Sequence, residues 1–173
     1  MKNILYVDDS GAERELMELA FERSAKDLHL KTVASGEEAC EYLKGSGQFA
    51  DRTRFPIPDF VIVDLKMGAM SGFDLLRWIR DHPETATLKV AIYSSSYVDS
   101  DVETGYKLGA DAFITKPSAW HRQARFVRLV QECLLADPPN LGLLHGLPEY
   151  RGTVNGVVNF SPDQESHDKN RVN

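Results

Sequence analysis

Short runs of aliphatic and β-branched residues alternate along this chain with longer stretches whose apolar positions recur every three or four residues. Residues 3–7, 29–33, 60–63, 89–93 and 112–115 read as strands; residues 11–26, a segment opening at Ser35, and residues 72–81, 99–108 and 118–135 read as helices. The pairs Ser10/Glu13 and Ser35/Glu38 have the spacing of a capping box at helix starts. Along the first helix Ala12, Leu16, Leu19, Ala20 and Arg23 share one face; Leu75, Leu76 and Ile79 are the expected inward face of the third. The run 60–63 is apolar throughout, as in a strand covered on both faces of a parallel sheet. Five βα units in succession predict an α/β fold over residues 1–135: a doubly wound, five-stranded parallel sheet with helices on both faces.

Charge narrows the function classes. The chain carries 20 Lys+Arg and 26 Asp+Glu, a formal net charge of −6, and lacks the basic stripe that a general nucleic-acid binder uses to neutralise phosphates. No apolar run approaches the roughly 20 residues of a membrane span. The start, MKNILYVDDS, passes straight from one Lys into a strand without the apolar stretch and cleavage site of a secretory signal, so a cytoplasmic location is expected. Cys40 and Cys133 fall within helical patterns and are expected to be buried small apolar side chains. Residues 1–116 hold 20 acidic and 14 basic side chains, and residues 117–173 hold six of each, so the whole acidic excess lies in the first two thirds.

The ends of the strands carry the chemistry. In open parallel sheets ligands bind beyond the carboxyl ends of the strands, at a topological switch point. Here the first strand runs into Asp8–Asp9, the third into Asp64, the fourth into Ser94–Ser95 and the fifth into Lys116. Three carboxylates at one sheet edge repel, and each would be hard to ionise unless a cation joined them. An oxygen-only donor set of this kind suits Mg²⁺, and Lys116 would offset part of the remaining charge. A carboxylate polarised in this way, beside a hydroxyl donor and an ammonium, is arranged to attack a phosphoryl group.

The set Asp8–Asp9, Asp64, Ser94 and Lys116–Pro117 resembles the receiver domain of two-component response regulators, over about residues 2–135. That resemblance implies the flavodoxin-like receiver fold. It implies that Asp64 accepts a phosphoryl group from a phosphohistidine of a sensor histidine kinase, with self-directed catalysis rather than metabolic turnover. Mg²⁺ would be held by the side chains of Asp9 and Asp64, by Asp8 mostly through water, and by the backbone carbonyl of Lys66. Ser94 would donate its hydroxyl to a phosphoryl oxygen, helped by the Ser95 N–H, and Lys116 would ion-pair with phosphorylated Asp64. Phe113 would be the aromatic switch that turns inward as Ser94 moves, and the Lys116–Pro117 peptide would be cis. A downstream protein would then read the face near the fourth helix and fifth strand. The turn after Asp64 departs from the common pattern, with Gly68 in place of a frequent Pro and Ser71 in place of a frequent Asp.

Residues 44–58 are punctuated by Gly and Pro and read as a long loop. With no output domain in view, this loop resembles that of the small single-domain regulators paired with bacterial phytochromes. A generic surface loop fits the same residues. Residues 136–173 read as a C-terminal extension: Asn155–Gly156 flanked by valines is a hairpin signal, and residues 161–173 have a disordered composition. Leu141, Leu143, Leu144 and Leu147 are apolar enough to dock on the receiver or on a second copy, and a homodimer interface near the fourth and fifth helices is the expected place.

Three rivals share parts of the pattern. A receiver-like scaffold that is never phosphorylated would keep the fold but usually loses one of the acid, Ser or Lys groups. A phosphatase of the haloacid-dehalogenase type needs a second Asp two residues past the nucleophile, where this chain has Lys66. A flavin-binding protein of similar topology would need a phosphate-cradling loop after the first strand, where Asp8–Asp9 would repel phosphate.

Overall fold

In the computed structural model, which describes residues 1–154 and 157–160, the strands β1 (Lys2–Val7), β2 (Leu28–Val33), β3 (Phe60–Val63), β4 (Lys89–Ser94) and β5 (Ala112–Thr115) form one parallel sheet in the order β2-β1-β3-β4-β5. The helices α1 (Gly11–Ser24), α2 (Gly36–Lys44), α3 (Gly72–Asp81), α4 (Asp99–Lys107) and α5 (Trp120–Leu135) connect or follow them. Alternate residues of each strand feed two separate cores, as the pleat requires. Leu5, Val7, Val61 and Val63 pack with α2 and α3, whereas Ile4, Tyr6, Phe60 and Ile62 pack with α1 and α5. This is the doubly wound five-stranded arrangement that the alternation of elements predicts. Among the described residues no helix is long and apolar enough to cross a membrane.

Helix starts follow local chemistry. Ser10, Ser35 and Ser71 each accept the backbone N–H of the third residue on, from Glu13, Glu38 and Asp74. Only the last pair closes a full capping box: the Glu38 carboxylate reaches back past the cap to the Ala34 N–H at 2.7 Å, and Glu13 faces the strand ends. The buried face of α1 also differs from the expected one. Met17, Ala20 and Phe21 are buried while Leu16 is 42% exposed, because α1 turns the stripe one residue on toward the sheet.

The 44–58 segment is packed rather than loose. Phe49 is buried in a short 3-10 turn, and Tyr42, Phe49 and Phe55 form a cluster of rings 5.1–6.2 Å apart. Arg52 donates to the Tyr42 and Leu43 carbonyls at 2.8 and 2.6 Å, which satisfies the open C-terminal end of α2. Cys40 and Cys133 are both buried, free thiols.

After α5 the chain returns over its own α4–β5–α5 face. Leu144 and Leu147 are buried in the α1/α5 core, whereas Leu143 is 40% exposed. Glu149 accepts the Thr115 N–H at 2.9 Å through its carbonyl, and Tyr150 bridges Ile114 in antiparallel fashion, so the tail continues the sheet beyond β5. The strands β6 (Arg151–Val154) and β7 (Val157–Phe160) then pair as a hairpin beside α4. The turn residues 155–156 and the segment 161–173 lie outside the described residues. Leu144 and Leu147 thus dock on the chain's own receiver, chiefly along α5.

Candidate functional site

Sheet register assembles the acids. β1 and β3 pair with Val7 opposite Val63, so the next residues, Asp8 and Asp64, emerge side by side at the point where the strand order reverses. The Asp64 N–H donates to the Val7 carbonyl at 2.8 Å and fixes that alignment. Carboxylate oxygens of Asp8, Asp9 and Asp64 lie within 4.8 Å of one another; Asp8 and Asp64 are buried and Asp9 is exposed. On the other side, Ser94 pairs with Thr115 and the Lys116 N–H donates to the Ser94 carbonyl at 2.8 Å, which carries Lys116 to the same edge. Its ammonium lies 2.7 Å from Asp8 Oδ2, 3.0 Å from Asp64 Oδ1 and 3.8 Å from Glu13.

Burial pushes the Asp64 carboxyl above its ordinary value; Lys116 opposes this and the neighbouring Asp8 charge adds to it. Burial also works against the Lys116 charge, but the hydrogen bond to Asp8 and the Asp64 carboxylate outweigh it, and the ammonium is held above its usual range. One ammonium does not balance three carboxylates. The remaining negative charge, the oxygen-only donors and the exposed Asp9, open to water, fit a hard divalent cation that keeps part of its hydration shell, as Mg²⁺ does.

Asp8, Asp9, Asp64 and Lys116 therefore come together as the strand ends predict. Ser94 sits fully buried at the end of β4, and its hydroxyl accepts the Ser96 N–H at 3.1 Å rather than reaching Asp64; Ser95 is exposed. Ser96 in turn donates to Asp101 on α4 at 2.5 Å. The Lys66 N–H donates to Asp64 Oδ2 at 2.9 Å while its side chain is exposed. Phe113 already points inward, fully buried, with its ring against Gly105 of α4. The expected cis bond at Lys116–Pro117 is absent: the cis X-Pro peptide among the described residues is Asp137–Pro138. An X-Pro bond favours trans by about 0.5–1 kcal/mol, and with the bond trans Lys116 already reaches both carboxylates.

Three participants escape a reading of motifs alone. Tyr6 donates its hydroxyl to Asp8 Oδ2 at 2.5 Å, and Arg14 donates to the Asp8 carbonyl at 2.6 Å. Tyr6 was open to inference, because residues two apart on a strand share a face. Arg14 carried no signal, since its contact depends on how α1 settles. The third is Gly72, the first residue of α3: its N–H donates to the Leu65 carbonyl at 3.0 Å, and a Cβ there would overlap the Asp64 carbonyl oxygen and lie 2.9 Å from Leu65 Cα. A bare Cα is what lets the helix press against the Asp64 backbone. Gly68 has open space around it, so the turn after Asp64 does not demand glycine there.

Comparison with known proteins agrees with this geometry. The family profile of the response regulator receiver domain matches residues 4–127. Response regulator Rcp1 of Synechocystis is 27% identical over 115 residues, covering 66% of this chain and 76% of that protein. The two-component response regulator ARR7 of Arabidopsis thaliana is 28% identical over 144 residues, covering 80% of this chain and 69% of its own length. Among solved structures, the phosphorylated cyanobacterial phytochrome response regulator RcpA superposes with a TM-score of 0.71 at 27% identity, covering 79% of this chain and 95% of that one. The regulator RPA3017 in red light signaling of R. palustris gives a TM-score of 0.69 at 26% identity, covering 74% and 90%. The chain belongs to the response regulator receiver family.

Proposed function

We propose that this protein is a phosphoryl-accepting switch: Asp64 takes a phosphoryl group from a histidine of a sensor kinase, and the phosphorylated form is read by another protein. The observation that carries this reading is the Lys116 ammonium held between two buried carboxylates, 2.7 Å from Asp8 and 3.0 Å from Asp64. A buried ionised acid kept beside an ammonium and two further acids is costly to maintain for stability alone, and the same groups suit in-line transfer to Asp64.

In the proposed step a carboxylate oxygen of Asp64 attacks phosphorus. The bond from phosphorus to the donor imidazole nitrogen breaks, and its electron pair leaves with the imidazole. Asp64 becomes an acyl phosphate. Asp9 and Asp64 would hold Mg²⁺ directly, Asp8 mostly through water, and Lys66 through its carbonyl; when bound, the cation neutralises charge on the transferring oxygens. Lys116 then pairs with the new phosphate. Ser94 leaves the Ser96 N–H to donate to a phosphoryl oxygen, with the Ser95 N–H beside it. That movement shifts a pre-existing equilibrium at α4 and β5, where Phe113 packs. Catalysis of this kind acts on the protein itself, not on a metabolite.

The likeness to regulators of phytochrome and red-light signalling supports a photoreceptor kinase of that type as the donor, in the cytoplasm. A homodimer through the α4–β5–α5 face remains part of the proposal. It would have to accommodate the tail, which occupies that face in this chain.

The test is intact-mass analysis after incubation with Mg²⁺ and a small-molecule phosphodonor. Wild type gains the mass of one phosphoryl group, and Asp64→Asn does not. No adduct on wild type, with kinase or small donor, would make the protein an unphosphorylated scaffold.

A further inference from the structure

Asp8 is held by more donors than its place in the acidic cluster requires. Its Oδ1 accepts the Ser10 N–H at 2.9 Å, and its Oδ2 accepts both the Lys116 ammonium at 2.7 Å and the Tyr6 hydroxyl at 2.5 Å. A carboxylate oxygen has two lone pairs. Oδ2 is therefore fully used, and Oδ1 keeps one lone pair.

Tyr6 is built to make that contact permanent. Its ring is fully buried within β1 and meets Tyr93 edge-on, with centroids 6.2 Å apart and planes at 80°. The hydroxyl lies on the same side of the strand as Asp8, two residues on.

The carboxylate of an Asp turns about a soft torsion with broad minima. Lys116 alone does not stop that turn, because its ammonium rotates on a flexible stem and has Asp64 as a second partner. The Ser10 N–H holds Oδ1 from one side, and a rigid phenol at a fixed position holds Oδ2 from the other. We propose that Tyr6 is a positioning residue for the cation site, whose hydroxyl fixes the Asp8 carboxylate with Oδ2 toward Lys116 and the one free lone pair of Oδ1 for a cation or its water. This rests on the reading that Asp8, Asp9 and Asp64 hold a divalent cation. Mg²⁺ accepts little error in ligand direction, and partners that orient ligands typically change metal affinity ten- to a hundredfold.

The test uses Mn²⁺ as the probe on the unphosphorylated full chain. Its affinity is measured by calorimetry or by the free-Mn²⁺ resonance signal for wild type, Tyr6→Phe and Tyr93→Phe. Tyr6→Phe should bind Mn²⁺ about tenfold more weakly. Tyr93→Phe, which removes a neighbouring buried hydroxyl not bonded to Asp8, should bind as wild type does. The yield of phosphorylated Asp64 in Tyr6→Phe should recover at saturating Mg²⁺, a split between affinity and chemistry that general loosening would not give. A folded Tyr6→Phe with wild-type affinity overturns the proposal. An equal loss in Tyr93→Phe does so as well. Wild type that binds no Mn²⁺ overturns the cation site itself. Should Tyr6→Phe not fold, the wild-type protein supplies the answer: the buried Tyr6 hydroxyl proton should keep its contact with Asp8 in saturating Mg²⁺, and loss of that contact on adding Mg²⁺ refutes the role.

Discussion

The Lys116 ammonium stands 3.0 Å from Asp64 Oδ1 across the open end of the sheet, and it is the only cation with ion pairs to both Asp64 and Asp8 among the described residues. Replacing it with a neutral side chain of similar length leaves two neighbouring buried carboxylates without a counterion. Lys116→Met is expected to lose about 3–5 kcal/mol of stability in metal-free buffer, the usual cost of breaking a buried pair from one side. Mg²⁺ should then raise its melting temperature by more than it raises that of wild type, because the cation replaces the missing charge. Equal melting temperatures of the two proteins without metal would contradict this.

The Asp64 acid gives the site a pH signature. Burial, with Asp8 adding to it, raises Asp64 above its unfolded value, so in the window between the two values the folded protein binds more protons there than the unfolded chain does. Stability then falls as pH rises through that window, and the ionised carboxylate remains a cost at neutral pH. Asp64→Asn removes the charge and keeps the shape, while Lys116 keeps Asp8 as partner. The variant should melt above wild type at pH 7 without metal, with the difference shrinking as pH falls toward the ordinary carboxylate range. A difference that grows on acidification would reverse the sign of the shift.

Much of this site was legible in the sequence because strand-end position and residue chemistry coincide. An apolar run ending in Asp8–Asp9, another ending in Asp64 and a third ending in Lys116 need only the parallel-sheet rule to meet. Contacts that depend on packing were less legible. Residues 11–24 hold two overlapping stripes at helical spacing, and only the sheet beneath decides that Met17 and Phe21 go in while Leu16 stays out. The tail's place depends on bonds such as that from Tyr106 to the Arg151 carbonyl, 45 positions apart, which no local pattern encodes. The isomer of an X-Pro bond is not written in its two residues, since the forms differ by about 1 kcal/mol.

Gly72 supports the acceptor from behind. Since a Cβ there would collide with the Asp64 carbonyl and crowd Leu65 Cα, Gly72→Ala must push α3 away or move the Asp64 backbone. Overpacking of this kind costs about 1–3 kcal/mol. The rate of phosphorylation by a small donor should fall as well, because Asp64 leaves its register with Asp8. Gly68→Ala, made in the same turn with open space around it, serves as the comparison and should change neither quantity by much. A normal phosphorylation rate in Gly72→Ala would mean that α3 yields instead of the acceptor.

One hydroxyl of α4 touches both the tail and the edge strand β5. Tyr106 donates to the Arg151 carbonyl at 2.6 Å and accepts the Phe113 N–H at 3.2 Å, so a single side chain of α4 serves both the edge strand and the returning chain. Arg151 itself is fully buried and paired with Asp99 of α4 at 2.6 Å. Tyr106→Phe keeps the ring and removes the bridge, leaving two backbone groups short of that partner at a cost of about 1–3 kcal/mol. Hydrogen exchange should quicken at Phe113 and along 149–152, while amides around Asp8 and Asp64 keep their protection; uniform quickening would place the loss in global stability instead. The same bridge sets what phosphorylation must do. If Ser94 moves toward a phosphate on Asp64 and draws the end of β5 with it through the Lys116 N–H bond to the Ser94 carbonyl, Tyr106 cannot hold both partners in place, and the wild-type tail should exchange faster once Asp64 is phosphorylated. Unchanged exchange there would mean that the switch acts without disturbing β5.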